Sequence, residues 1–228
     1  MKEKNLVSVP FMVLGIIFCV CLIAANLLET KVIQMGPLSA TAGLLVFPIS
    51  YIINDCIAEV WGFRKARLII WMGFLMNFMV IILGQIAIAL PAAEYWDGEE
   101  SFNFVFGLAP RIACASLAAF LAGSFTNAYV LSKMKIMSHG KNFSARAIVS
   151  TLFGEGIDSV IFFPLAFGGI IPVDELLMLM LVQVVLKTLY EIIILPVTIR
   201  VVKFIKRVDN CDVYDENISY NILKFKEL

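Results

Sequence analysis

The chain has 228 residues, 61% of them hydrophobic and 16% charged, and its 18 basic and 18 acidic side chains cancel to a formal net charge of zero. A soluble domain carries about 25% charged and about 45–50% apolar residues; with a mean hydropathy of +0.91, this composition excludes an ordinary soluble core and makes lipid the simpler solvent. The zero net charge averages two polarised faces and is no argument for nucleic-acid binding, so no nucleic-acid partner is expected.

In chain order, apolar runs fall at residues 10–28, 38–60, 68–90, 112–131, 147–171 and 176–202. Each approaches the roughly 20 residues with which an α-helix crosses about 30 Å of hydrocarbon. The runs lack period-two alternation, which excludes a transmembrane β-barrel. The reading is therefore an all-α integral membrane protein with six transmembrane helices. Residues 1–208 form one domain and residues 209–228 a polar tail. Lys2 and Lys4 before the first run resemble the start of a signal peptide. The run is long for one, however, and no small-residue cleavage site followed by a soluble domain appears, so it is retained as helix one. The loop at residues 91–110 carries Trp96 and a stretch rich in Phe, as a short interfacial helix would. Pro48, Pro164 and Pro196 mark expected kinks. The tail from Asp209 is mixed in charge and reads as a solvated extension.

Basic residues orient the spans. Fifteen of the 18 fall before helix one, between helices two and three, between helices four and five, or at and after the end of helix six. The positive-inside rule places those loops and both termini in the cytoplasm. The opposite loops carry Glu94, Asp97, Glu99, Glu100, Asp174 and Glu175. The basic loops are expected to meet anionic lipid. Cys19, Cys21, Cys56, Cys114 and Cys211 lack metal-ligand spacing and read as small apolar residues. No cofactor or metal is implied.

Ionisable groups inside apolar spans carry the chemistry, because a charge at the bilayer centre costs at least about 2.5–3.5 kcal/mol and must face a partner or a watery cavity. Tyr51, Asp55 and Glu59 recur every four residues on helix two and share a face. Glu59, near the end of its span, can reach water or pair with Arg64. Glu155 and Asp158 are three apart on helix five, flanked by Gly154 and Gly156. Gln183, Lys187, Tyr190 and Glu191 form a stripe on helix six. Lys187 either pairs with Glu191 or, more in keeping with its depth, bonds Asp55 or Asp158. Asn77 and Asn127 add amides that donate and accept. The acids outnumber the one ammonium, so a proton or a cation must balance them. Such a surplus suits three tasks: binding a guanine-like edge with aromatic stacking, holding a substrate ammonium, or carrying a proton. The residues alone leave these open.

Two stretches carry a resemblance. The first joins Ala25-Asn26-Leu27-Leu28-Glu29-Thr30-Lys31 with Phe47-Pro48-Ile49-Ser50-Tyr51-Ile52-Ile53-Asn54-Asp55 and Glu59-Val60-Trp61-Gly62. The second joins Arg146 and Ser150-Thr151 with Gly154-Glu155-Gly156-Ile157-Asp158-Ser159 and Gln183-Val184-Val185-Leu186-Lys187. Together they resemble the queuosine precursor transporter family. The resemblance implies an importer of 7-deazapurine bases such as preQ0, preQ1 or queuine. Its fold would be similar to the substrate-binding subunits of energy-coupling factor transporters. On this chain Asp55, Asp158, Gln183 and Lys187 would be the polar site positions, supported by Glu155 and Asn127. Trp61 and Glu155 depart from residues common in the family.

The expected partners are a small-molecule 7-deazapurine and membrane lipid, with homodimer formation left open. The alternative is a substrate-binding subunit of an energy-coupling-factor-type transporter for another small heterocyclic metabolite, dependent on a separate ATPase, since the chain has no P-loop of its own. An intramembrane enzyme is disfavoured: the single histidine, His139, sits in a basic loop without a nucleophile or acid beside it.

Overall fold

A computed structural model describes residues 8–35, 38–107, 110–169, 172–216 and 218–221. Its elements are α1 (Val9–Leu28), a hairpin of β1 (Val32–Met35) and β2 (Leu38–Thr41), a 3-10 turn (Ala42–Leu45), α2 (Phe47–Ala89), α3 (Glu99–Gly107), α4 (Pro110–Met137), α5 (Phe143–Phe167) and α6 (Val173–Asp209). Helix α1 starts where the Ser8 hydroxyl accepts from the Phe11 N–H at 3.3 Å. Pro10 takes a first-turn position whose donor no helix bond needs.

Four helical stretches are long and apolar enough to cross a membrane: Val9–Leu28, Ala42–Ala89, Phe143–Ala166 and Leu176–Asp209. The chain is a multi-pass membrane protein. The second stretch, at 48 residues, is about twice the length one crossing needs. Helix α2 is in fact broken at Gly62, where φ is 82° and ψ is 175°, a region open essentially to glycine alone.

Contacts show that the chain reverses there. Residues 63–89 ascend beside α1: Phe11 packs on Trp61 at 5.2 Å between centroids, Gly15 on Ile69, and Gly73 on Phe18 and Leu22. Residues 47–61 run the opposite way, parallel to α4, with Gly123 beside Tyr51, Asn127 bonded to Asp55 and Lys135 bonded to the carbonyl of Glu59. A single glycine thus joins two antiparallel limbs.

The largest buried cluster joins α1, both limbs of α2 and α4 through Phe18, Leu22, Tyr51, Ile57, Ile70 and Phe120. Large apolar side chains also point outward, among them Ile16, Val20, Leu75, Leu181 and Ile193, as lipid-facing surfaces require. The five cysteines are free. Helix α3 fills the loop where a short helix was expected.

Three expectations are corrected. The second span begins later than hydropathy suggests: residues 38–41, counted as its start, pair antiparallel with β1 from Val32↔Thr41 to Met35↔Leu38. Hydropathy cannot distinguish such a strand from a helix, and here the backbone groups are satisfied across a hairpin. Pro48, expected to kink a span, lies in the first turn of α2, where it disrupts nothing.

The described part of the tail, residues 209–216 and 218–221, is not a solvated extension. Asp215 is 5% exposed and accepts the Phe63 N–H at 2.8 Å, while Val213 N–H donates to the Val60 carbonyl at 3.0 Å. Arg67 reaches the Asn221 carbonyl at 2.6 Å, and the Tyr220 ring packs on Phe63. The reversal at Gly62 ends one helix and begins another in one step, leaving backbone donors and acceptors with no helical partner; the tail engages the Val60 carbonyl and the Phe63 N–H, and Lys135 the Glu59 carbonyl.

Replacing Gly62 with Ala should cost about 1–3 kcal/mol from backbone conformation alone. The new Cβ would also lie 2.6 Å from an Asp215 carboxylate oxygen. Thermal unfolding of the detergent-solubilised protein should show a clearly lower Tm for Gly62→Ala, whereas Gly156→Ala, with nothing within 4 Å of the new carbon, should leave Tm unchanged or slightly higher.

Candidate functional site

The first limb of α2 works as a ruler through the bundle. Phe47, Tyr51, Asp55 and Glu59 recur at four-residue spacing, so they stack along one helical face over about 18 Å, and all are buried. Each meets a different layer of α4, α5 and α6.

At the Phe47 level lies a crevice lined by Glu29, Phe47, Asp158, Phe162, Phe163, Gln183 and Lys187. The Lys187 ammonium sits 2.8 Å from Glu155 Oε2 and 3.5 Å from Asp158 Oδ2. It also lies 4.0 Å above the centre of the Phe47 ring, a favourable cation–π position. Because Glu155 and Asp158 are one turn apart on α5, a single ammonium from α6 reaches both. The crevice has about 10 Å³ of free volume, room for about one water. The Gln183 side-chain oxygen is buried without a hydrogen-bond partner.

One level deeper, Tyr51 packs where α4 and α5 cross. A Cβ on Gly154 would come within 2.9 Å of Asn127 Cβ and 3.0 Å of both the Gly123 carbonyl and the Tyr51 ring. Gly154 therefore serves close helix packing, while Gly156 faces open space. At the next level Asn127 Nδ2 donates to Asp55 Oδ1. Glu191 is buried as well, and Asp55 Oδ2 and Glu191 Oε2 each lack a hydrogen-bond donor.

The fourth level is a charge network at the basic end of the bundle. Arg146 grips Glu59 with both arms of its fork, at 2.5 and 3.0 Å, the bidentate geometry that favours Arg over Lys. Lys206 adds a contact to Glu59 at 2.7 Å and to Asp212 at 2.9 Å, and Lys135 reaches Asp212 at 2.6 Å. Partial burial pushes the Asp212 carboxyl up, but the hydrogen bonds and charges of Lys135 and Lys206 outweigh it and hold it below the ordinary carboxylate value. Trp61 Nε1–H donates to Asp209 at 3.0 Å.

This network corrects the reading of Glu59, which neither reaches water nor pairs with Arg64 among these contacts. Three of the loop cations, Arg67, Lys135 and Arg146, are at most 2% exposed and engaged within the protein, whereas Arg64, Lys65, Lys141, Lys203 and Arg207 are exposed. The pairing of Lys187 with Glu191 gives way to Glu155 and Asp158.

Of the polar residues singled out in the sequence, Asp158, Glu155, Gln183 and Lys187 meet at or beside the crevice. Tyr51, Asp55, Asn127 and Glu191 lie in the layers beneath. Asn77 is buried on the second limb of α2 with its Nδ2 unpartnered. Tyr190 is half-buried on α6 and does not line the crevice. Sequence reasoning passed over Glu29, Phe47 and Arg146 as site residues. Each stood inside a quoted stretch, but Glu29 and Arg146 lie at span ends, where a charge needs no explanation. Among the described residues no group of three or more His, Cys, Asp or Glu side chains is placed to hold a metal ion.

Comparison with known proteins adds a family. The family described as Putative vitamin uptake transporter matches residues 41–201. A relative from Bacillus subtilis (strain 168), named Probable queuosine precursor transporter, is 27% identical over 175 residues, which cover 76% of each chain. One of the same name from Haemophilus influenzae is 30% identical over 132 residues, 56% of this chain and 52% of its own. The Queuosine precursor transporter of Escherichia coli (strain K12) is 24% identical over 144 residues, 63% of this chain and 62% of its own. No solved structure matches.

Removing one partner of a buried ion pair leaves the other uncompensated, at a cost of about 3–5 kcal/mol. Arg146→Ala should therefore shift the unfolding midpoint in an SDS titration strongly downward. Substituting the exposed loop residue His139 with Ala should leave it in place.

Proposed function

Because the chain belongs to the putative vitamin uptake transporter family, we propose that it carries queuosine precursors, flat 7-deazapurine bases such as preQ0, preQ1 or queuine, across the bacterial inner membrane. The names of three relatives support the substrate class. The observation that carries the reading is the crevice itself: a buried ammonium held by two carboxylates, an amide oxygen without a partner, and phenylalanine faces, all within an apolar bundle.

Each group has a task on such a base. A carboxylate offers two acceptors in a plane, matching the ring N–H and exocyclic amine of a guanine-like edge. Asp158, which lines the crevice and holds Lys187 only at 3.5 Å, is the better placed of the two acids. The Gln183 amide serves a neighbouring polar group of the base, and Phe47 and Phe162 supply flat apolar faces. Lys187 orients both acids until the ligand takes part of their hydrogen bonding.

Transport then follows from the two charged layers. Small-molecule sites occupy about 300–1,000 Å³, far above the free volume of this crevice, so α5 and α6 must part from the first limb of α2 to admit a base. The Glu59–Arg146–Lys206 layer closes the basic end meanwhile. Release on that side requires those pairs to separate, an alternation of access around a site near mid-membrane. In this reading α1, the two limbs of α2, α4, α5 and α6 are six crossings, with the basic end and both termini in the cytoplasm.

Two experiments test the reading. In cells that cannot make queuosine but express this protein, added base should restore queuosine in tRNA, and Asp158→Ala at equal membrane level should abolish the recovery. Undiminished recovery would remove Asp158 from the site. In a cysteine-free background, a cysteine at Gly98 should react with an impermeant reagent in intact cells, and one at His139 only after permeabilisation; the reverse pattern would overturn the orientation. Uptake by proteoliposomes containing this protein alone distinguishes a stand-alone carrier from a subunit that needs an ATPase.

A further inference from the structure

We infer that Glu29 selects for a positively charged arm on the transported base, an inference that rests on the transport reading above. Glu29 closes the end of α1, its N–H bonded to the Ala25 carbonyl at 2.9 Å. Its side chain lies across Gly43 of the 3-10 turn, where a Cβ would stand 2.5 Å from Glu29 Oε1 and 2.8 Å from its carboxyl carbon. Gly43 therefore makes the room in which this carboxylate reaches the crevice shared by Asp158, Gln183 and Lys187.

The charge count explains what Glu29 does there. Lys187 is already engaged by Glu155 at 2.8 Å and Asp158 at 3.5 Å, whereas Glu29 makes no ion pair within 4.0 Å among the described residues. Three carboxylates face one ammonium. The C-terminal carbonyls of α1 add partial negative charge at the same place. Carboxylates gathered in an apolar bundle are costly unless a cation joins them.

A second observation points to the same ligand. Gln183 is 7% exposed, lines the crevice, and its side-chain oxygen has no donor. An acceptor held in this state calls for a ligand rich in N–H groups. A base with an ammonium arm provides both donors and charge: its edge engages Asp158 and Gln183, and its arm engages Glu29.

The test compares two bases that differ in that arm. PreQ1 carries an aminomethyl group, cationic at neutral pH, and preQ0 an uncharged nitrile. Uptake is measured for the wild type and Glu29→Gln at matched membrane levels. A charge-assisted hydrogen bond contributes enough for about a tenfold change in half-saturation. Glu29→Gln should raise the preQ1 half-saturation concentration by about that factor while preQ0 changes less than about twofold. Gly43→Ala, which displaces the carboxylate, should reproduce the selective loss. In the purified protein, the thermal shift produced by preQ1 should shrink in Glu29→Gln and that produced by preQ0 should persist. Equal losses for both bases, or none for preQ1, would overturn the role of Glu29 alone. A wild type that takes up neither base would overturn the transport reading and this inference with it.

Discussion

A lysine ammonium in the apolar interior of a membrane protein must find counter-charge, and the placing of Lys187 is the constraint around which the bundle is arranged. It cannot be met from α6 alone. Two acids one turn apart on α5 meet it, and an aromatic ring from the first limb of α2 completes the surround. Three elements are thus held at one point by one side chain. The same groups that fix the helices are those a ligand would touch, so packing and recognition cannot vary independently here.

The charged layers along the first limb of α2 differ in how completely they are satisfied. Around Glu59 both carboxylate oxygens are engaged by Arg146 and Lys206. In the crevice the Gln183 oxygen, and in the layers beneath it one carboxylate oxygen each of Asp55 and Glu191, have no donor. A saturated network resists opening, since each broken contact exposes a buried charge. An unsaturated one has hydrogen-bonding capacity left for something else. On the transport reading proposed above, the difference separates the part of the molecule that closes from the part that binds.

Much of this was legible in the sequence because hydropathy and helical spacing are local signals. The acids at positions 155 and 158 had to share a face, and Gln183, Lys187 and Glu191 did as well. Long-range choices were not legible. Nothing near Glu59 in sequence says that its guanidinium partner stands 87 residues away, and the nearer Arg64 was the natural guess. The strand at residues 38–41 has the hydropathy of a helix. Glu29 follows an apolar span, where an acid normally reaches headgroups or water; no local signal says that it lines a crevice with Lys187. The tail misled for a related reason: its polar composition suits water, and equally suits the unpaired backbone that Gly62 leaves behind.

The strap formed by residues 211–216 and 218–221 also bears on the order of events during synthesis. The described helices precede it in the chain, so they enter the bilayer before Asp215 can reach the Phe63 amide or Asp212 can reach Lys135 and Lys206. Insertion and closure are therefore separate steps, and a nascent bundle passes through a stage in which its basic face stands unsealed.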